Sequence, residues 1–398
     1  MKNAENRNKN LEVNKPNNKI DLGAGSGSAL RIKLNPSHNH RGIEKLYEKM
    51  HLNQGVFLSE RVSAHLSVSS SLAYALAAEE VIGLSIPQRA EYIRTIASEL
   101  ERIRAHLYCI MLIGRLSRAE RLRSVSGKKL IEILALFERL FGNRYHSALI
   151  RIGGVSRDIA TAEGEMLKDF LGEILQASDR MRMIVETDPL LALSIKKKGS
   201  LTPEIIRNYG ISGPAARASG IDIDIRRDEP YSAYPYLDFA VPRREEGDIF
   251  ARMLIRIEEI FESVSMISDS LSALKRINTP LFAELDRMPE GEGIGRSESP
   301  EGEFFHYIRS WGGNVPFRHK IRPPSYMIAP AAEKVFGQSG IDNNQLILIS
   351  LDPSYLYFSG LAAESGTSGY NLQIPNNPVP GFSASLKESG SSSAPVRN

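Results

Sequence analysis

Residues 58–80 read LSERVSAHLSVSSSLAYALAAEE, a Glu-Arg pair followed by a run of Ser and Ala. The run has helical composition but fits neither usual kind of helix. A core helix carries more Leu and Ile, and a solvent-facing helix carries more Lys and Glu. Either something packs very closely against these small side chains, or something that once needed the space is gone.

Working outward, the neighbouring segments read as long helices. In SIPQRAEYIRTIASELERIRAHLYCIML, Ser85 is placed as the N-cap and Pro87 in the first turn, where a missing N–H costs nothing. Ile93, Ile96, Leu100, Ile103, Leu107 and Ile110 then step by three and four, one apolar stripe. A second long helix follows Asp248 through Met253, Ile257, Ile260, Val264, Ile267, Leu271 and Leu274. A third lies between about Ala160 and Val185. Together they predict a bundle with the Ser/Ala helix as its closely packed central member. Shorter elements surround it. LTPEIIRNYG predicts a helix capped by Thr202 and stopped by Gly210. The stretch IDIDIRRDEPYSAYPYLDFAVP predicts strand and turn, FFHYIRSWGGNVPFRHKIRPPS a hairpin turning at Gly312–Gly313, and QLILISL a buried strand.

The fold class expected is α+β, predominantly α: a long-helix bundle with small peripheral sheets. The polar residues 1–28 and the Pro-, Ser- and Gly-punctuated residues 360–398 are expected to be disordered tails around one folded domain, 29–359. Fifty Lys and Arg against 47 Asp and Glu leave a formal charge of +3, which argues against a nucleic-acid-wrapping protein. One cysteine, Cys109, excludes an internal disulfide and a thiolate-rich metal site, and on its Ile/Leu-striped helix it reads as a core thiol. No secretory h-region and no run of eighteen apolar residues is present, so a soluble intracellular protein is expected. The basic stretch 115–129 reads as a solvated helix end and loop. GEGIG (291–295) does not sit between a strand and a helix and is no nucleotide loop.

HRGIEKL (40–46), SERVSAHLSVSSSLAYALAAEE, RIGGVSRD (151–158), GISGPAARASGIDIDIRRDEPYSAY (210–234), ESPEGEFFHYI (298–308), FRHKIRPPS (317–325) and SLDPSYLY (350–357) follow one another in that order. Nearly the whole expected domain therefore resembles the superfamily that joins NiFe-hydrogenase large subunits to the D subunit of respiratory NADH:quinone oxidoreductase, complex I. In the hydrogenase branch two Cys-x-x-Cys pairs hold nickel and iron, soft ligands for soft metals. Here those positions are Ser63, Leu66, Ser354 and Tyr357. The hydrogenase motif Glu-Ala-Pro-Arg-Gly-Glu reads Glu298-Ser299-Pro300-Glu301-Gly302-Glu303, an acid in place of the arginine, so the nickel–iron reading is rejected. In that light the small residues descend from a helix that made room for a cofactor and an iron–sulfur neighbour; close packing with no pocket is the competing reading.

The complex I branch also lacks the cysteines and uses the emptied cavity as a quinone chamber. Its histidine loop is replaced here by DLGAGSGSALRI, and its tyrosine by Ala64. His65 and Ser70 lie nearby, and Tyr357 supplies a phenol from the far end. The resemblance is thus nearer to cysteine-free relatives of membrane-bound energy-converting hydrogenases, as Asp352–Pro353 also indicates. The candidate proton-handling residues are Glu44, His40 and Asp352; the candidate substrate-binding residues are Ser63, His65, Ser70 and Tyr357. Glu44 and the Glu60–Arg61 pair read equally as a coupled proton relay or as structural ion pairs, with Arg61 or Arg151 as partners of Glu60 or Asp352.

The resemblance implies a peripheral subunit on the cytoplasmic side of a membrane, receiving electrons from an iron–sulfur partner and passing them to a quinone or other acceptor. No cofactor or metal would be held by this chain, and any NADH would bind another subunit. The alternative is a scaffold that keeps the iron–sulfur interface and has lost redox chemistry.

Overall fold

A computed structural model describes residues 19–22, 41–63, 65–284, 287–336, 343–352 and 362–365. In chain order the elements begin with β1 (Lys19–Leu22), α1 (Ile43–Tyr47), α2 (Leu52–Ser59), α3 (Ser67–Ile82), α4 (Gln88–Leu116) and α5 (Glu120–Phe141). There follow β2 (Ile150–Arg151), β3 (Gly154–Val155), α6 (Thr161–Thr187), α7 (Pro189–Ile195), α8 (Pro203–Tyr209), α9 (Gly213–Arg217) and α10 (Ile225–Asp228). The last are α11 (Ile249–Leu274), β4 (Met288–Ser299), β5 (Gly302–Gly313), β6 (Arg318–Arg322), α12 (Ser325–Val335), α13 (Asn344–Leu351) and β7 (Ala362–Ser365). The architecture is α+β and predominantly α, as expected. Within the terminal stretches expected to be disordered, β1 and β7 pair in parallel; the rest of those stretches lies outside the described residues.

The bundle is built from α4, α5, α6 and α11, with α4 packed on both α5 and α11, and α6 closing the ring. Its central helix is α4 rather than the Ser/Ala helix. Residues from Ala90 to Gly114 of α4 are buried on nearly every face. The helix starts at Gln88 with Pro87 at the cap, later than Ser85. Asp248 caps α11 by accepting the Ala251 amide (2.9 Å), and Thr202 caps α8 through the Ile205 amide (3.3 Å). The basic stretch is helical from Glu120 onward as α5, and its Lys129 is tied to Glu132 and Glu173.

The small side chains of α3 (Ser67–Ile82) are explained by a strand. β4, β5 and β6 form an antiparallel three-stranded sheet, and β4 runs along α3. Ser297 donates to the Ser69 carbonyl (2.8 Å), Gly295 lies against Ala73 and Ala77, Gly293 against Ala77 and Val81, and Gly291 against Val81. The strand thus steps by two while the helix steps by four. The match is metric: two strand residues rise about 6.6 Å and four helical residues about 6 Å. A Cβ on Gly293 would sit 2.2 Å from the Ala77 carbonyl oxygen, and one on Gly295 1.8 Å from that of Ala73. GEGIG is therefore no nucleotide loop but the glycine face on which the helix rests.

Two sequence expectations are corrected. QLILISL is helical, as α13, because a short, wholly apolar run carries no period that separates a buried strand from a buried helix. The stretch expected as strand after Ile221 forms α10 and a 3-10 turn at Tyr234–Tyr236, with the Asp224 side chain accepting the Arg226 amide to start the helix. The hairpin expected around Gly312–Gly313 is present as β5–β6, with both glycines at left-handed φ (+89° and +112°).

Candidate functional site

The segments that carry the resemblance come from distant parts of the chain and converge on one buried cluster. The loop between α2 and α3 supplies His65, the β4–β5 turn supplies Glu301, and the C-cap of α13 supplies Asp352. His65 Nε2 is 2.6 Å from Glu301 Oε1, and one donor atom from each of the three residues lies within 4.8 Å of the others. Glu301 Oε2 accepts from Ser325 Oγ (3.1 Å), and the His65 carbonyl accepts from Arg104 (3.0 Å). Asp352 takes a left-handed backbone (φ +55°) as its amide closes the end of α13 onto Leu348 and Ile349. Its Oδ2 lies 3.2 Å from Arg256 Nη1 yet accepts no hydrogen bond among the described residues.

From Arg256 a ladder of buried charge runs through the bundle. Arg256 meets His106 Nδ1 at 3.0 Å, and His106 Nε2 meets Glu259 at 2.8 Å. Glu259 accepts from Arg217 Nε (2.8 Å), whose Nη1 reaches Glu298 (2.8 Å) and Asp224 (3.3 Å). Arg226 joins Asp224 (2.7 Å) to Glu99 (3.2 Å), and Glu99 also holds Arg102, Ser263 and Tyr234. These charged side chains are almost wholly inaccessible to water.

The environment sorts their protonation. Burial disfavours the charged form of Glu259, but Arg217, His106 and Arg102 outweigh it and hold the carboxyl well below the usual range. Burial and the neighbouring Asp224 raise Glu298 to about 7 despite Arg217. Burial lowers His106 to about 4, even with Glu259 beside it. For His65 the order reverses: burial lowers it, but the bond to Glu301 and the charges of Glu301 and Asp352 leave it raised. Glu301 is raised, by burial first, with His65 opposing.

His65 and Asp352 are thus brought together. Ser63 is buried in the same loop, and Ser70 is buried on α3 with no hydrogen-bond partner for its Oγ among the described residues. Glu44 lies apart on α1, accepting from Lys320 Nζ (2.7 Å) and the Ile321 amide (3.2 Å) at the edge of β6. His40, Ser354 and Tyr357 lie outside the described residues. The ion pairs expected for Glu60 and Asp352 are replaced by other partners. Glu60 accepts the Ala148 amide (2.8 Å), Asp352 faces Arg256, and the exposed Arg61 donates to the Phe57 carbonyl. Cys109 is a buried thiol donating to the Ile349 carbonyl (3.4 Å), and burial pushes it up to about 12, too high for a reactive thiolate.

A nickel–iron group does not fit these residues. Leu66, in the place of one thiolate, packs with Val62, Ala73 and Phe304 in a small apolar cluster. What the sequence reading misses is the ladder: Arg217, Asp224, Arg226 and Glu298 lie inside the quoted motifs without being singled out, and its members on α4 and α11 lie outside them. The signal is nevertheless there: Glu99, Arg102 and His106 follow one another at i, i+3 and i+7, a second stripe beside the isoleucines.

Comparison with known proteins shows the family and the fold. The chain matches the family described as respiratory-chain NADH dehydrogenase, 49 Kd subunit, over residues 131–286 and 280–355. It is 31% identical over 339 residues to the D subunit of the NADH-quinone oxidoreductase of Geobacter metallireducens, covering 79% of this chain and 87% of that one. It is 30% identical over 328 residues to the carbon monoxide-induced hydrogenase of Rhodospirillum rubrum, covering 81% and 89%. Among solved structures it resembles a chain of the membrane-bound sulfane sulfur reductase, an archaeal respiratory membrane complex. The TM-score there is 0.77 at 28% identity, over 82% of this chain and 91% of the other.

Proposed function

This chain belongs to the family of the 49 kDa subunit of respiratory-chain NADH dehydrogenase, and from that premise we propose that it is the acceptor-side subunit of a membrane-associated oxidoreductase complex. It receives electrons from an iron–sulfur partner and passes them to a quinone or another acceptor without a nickel–iron centre. A chain with one buried cysteine cannot hold a cluster of its own, so the donor belongs to a partner. The attachment is peripheral, on the cytoplasmic side; none of the described helices is long and apolar enough to cross a membrane.

The observation that carries the reading is the cluster of His65, Glu301 and Asp352 beside the positions of the lost thiolates, where the hydrogenase-like segments meet, joined to a continuous ladder of buried charge. A reduced acceptor gains negative charge, and groups fixed in a low-dielectric site meet that charge without reorganising. His65 is the member in touch with the surface, its side chain 19% exposed, whereas Glu301 is fully covered. An acceptor therefore approaches from the His65 side, with Arg256 and Arg217 behind it.

The test is NADH- or ferredoxin-driven reduction of a soluble quinone by the purified native complex. Asp352→Asn is expected to lower turnover at least tenfold, whereas Glu44→Gln, at the edge of β6, leaves it within twofold. An assembled complex whose turnover is unchanged by Asp352→Asn refutes the acceptor site and supports the scaffold reading.

A further inference from the structure

We infer that His65, Glu301 and Asp352 form a binding site for one divalent first-row cation of intermediate hardness, such as Zn²⁺, Mn²⁺ or Fe²⁺. The donors are one imidazole nitrogen and two carboxylate oxygens, a set suited to those ions and unsuited to the soft thiolate chemistry of nickel–iron centres. The inference rests on donor geometry alone and stands apart from the route of the electrons.

Three features make this more than a cluster of acids. The donors come from three separate parts of the fold, so the tertiary structure assembles the site: His65 and Glu301 are 236 residues apart. Each donor is also oriented by a neighbour. Ser325 Oγ holds the far oxygen of Glu301, Arg104 fixes the His65 main chain, and the capping amide of Asp352 holds it in a left-handed conformation. Ligand carboxylates and imidazoles are commonly aimed in this way by a surrounding shell. Finally, Asp352 Oδ2 is buried without a hydrogen bond among the described residues, an oxygen at the cluster with the Arg256 guanidinium beside it.

The dimensions fit a single ion. Donors at about 2.1 Å from one centre lie roughly 3–4 Å apart. The observed donors span 2.6 Å between His65 and Glu301 and at most 4.8 Å overall. Binding therefore requires the first pair to open and the widest to close by under about one ångström. Once His65 has released its proton, two carboxylates and a neutral imidazole beside Arg256 leave one net negative charge on the donor set, so a bound divalent ion sits in an attractive field. Coordination positions that these three side chains do not fill would be taken by water or an acceptor oxygen.

The full-length chain, stripped with chelator, is titrated with Co²⁺ as the spectroscopic probe and with Zn²⁺ as competitor, and metal retained after gel filtration is counted. One Co²⁺ per chain with visible d–d bands is expected. X-ray absorption of the loaded wild type should show nitrogen and oxygen neighbours and no sulfur. His65→Ala and Asp352→Asn should bind at least tenfold more weakly, with His51→Ala unchanged. Wild type that retains no Co²⁺, a sulfur neighbour in the absorption spectrum, or equal binding by folded His65→Ala overturns the site. None of these outcomes depends on turnover, so failure here leaves the acceptor reading to its own test.

Discussion

Replacing Gly295 by Ala tests the contact that explains the Ser/Ala helix. The new Cβ would fall 1.8 Å from the Ala73 carbonyl oxygen and 2.5 Å from the Ala77 amide nitrogen. A comfortable carbon–oxygen contact is about 3.3 Å, so the overlap is about 1.5 Å. The obstacle is helix backbone, which cannot swing aside as a side chain does. The strand cannot retreat either, because β4 is paired with β5 along its length and Ser297 is bonded to Ser69 two residues further on. Overpacking a core ordinarily costs about 1–3 kcal/mol, and this geometry lies at or beyond the upper end. We expect Gly295→Ala to cost about 3 kcal/mol or more, and Gly293→Ala, with its 2.2 Å approach to Ala77, a similar amount. Gly291 is the internal control: its Cβ would meet only the Val81 side chain at 3.8 Å, an ordinary contact. Gly291→Ala should be neutral, or stabilising by about 0.4–1 kcal/mol through a less flexible unfolded chain. Equilibrium denaturant unfolding of the three variants gives the series. A Gly295→Ala protein within about 0.5 kcal/mol of wild type, or a Gly291→Ala protein as damaged as the other two, would refute the packing argument.

The charge ladder makes further predictions. Glu259→Gln keeps the shape but leaves Arg217, Arg102 and His106 without their shared anion, and breaking a buried pair from one side costs about 3–5 kcal/mol, measurable by the same unfolding assay. Two buried histidines have a definite pH signature. His106 and His306 are buried, and burial lowers them to about 4 and about 3. Unfolded histidine titrates near 6.5, so below that pH the unfolded chain binds more protons than the folded one. These two rings therefore contribute a loss of stability as pH drops from about 6.5 toward 4, whereas Glu60 and Glu298, raised to about 7, and the raised His65 and Glu301 contribute in the opposite direction as pH falls; Glu259, held low, adds its own loss only below about pH 4.3. Imidazole NMR titration of the folded protein reads the two rings directly, and a His106 or His306 ring that titrates near 6.5 contradicts its neutral burial. Glu79→Gln should loosen the loop at β2–β3, because Glu79 accepts the Gly153 amide (2.7 Å) and anchors Arg94, which itself holds the carbonyls of Arg151 and Gly154. Faster amide hydrogen exchange confined to residues 150–155 is the expected signature, and unchanged exchange there counts against it.

Much of this protein was legible in the sequence because its long helices announce themselves. The Ile/Leu stripe of α4, the Asp248 cap of α11, the Thr202 and Gly210 bounds of α8 and the glycines of the β5–β6 turn are local patterns, set by bonds within a few residues. Ordered motifs such as HRGIEKL and SLDPSYLY indicated the family for the same reason: they are strings, not contacts. His65 and Asp352 were reachable as the residues standing beside the lost thiolates. Glu301 was visible only as a missing arginine, since nothing in a string says that it faces His65.

The tertiary structure decided what covers each surface. A helix period reveals one buried stripe and is silent when the opposite face is buried too, so nothing local marks Glu99, Arg102 and His106 of α4 as buried, and it is α11, α9 and α10 that enclose them with partners. The Ser/Ala segment likewise left open whether its small side chains made room for a cofactor or for backbone. The answer lay more than two hundred residues away in the glycines of β4, whose two-residue step fits the four-residue step of α3. Burial and ion pairing are properties of pairs of distant residues, and a single chain of letters specifies them only through the fold.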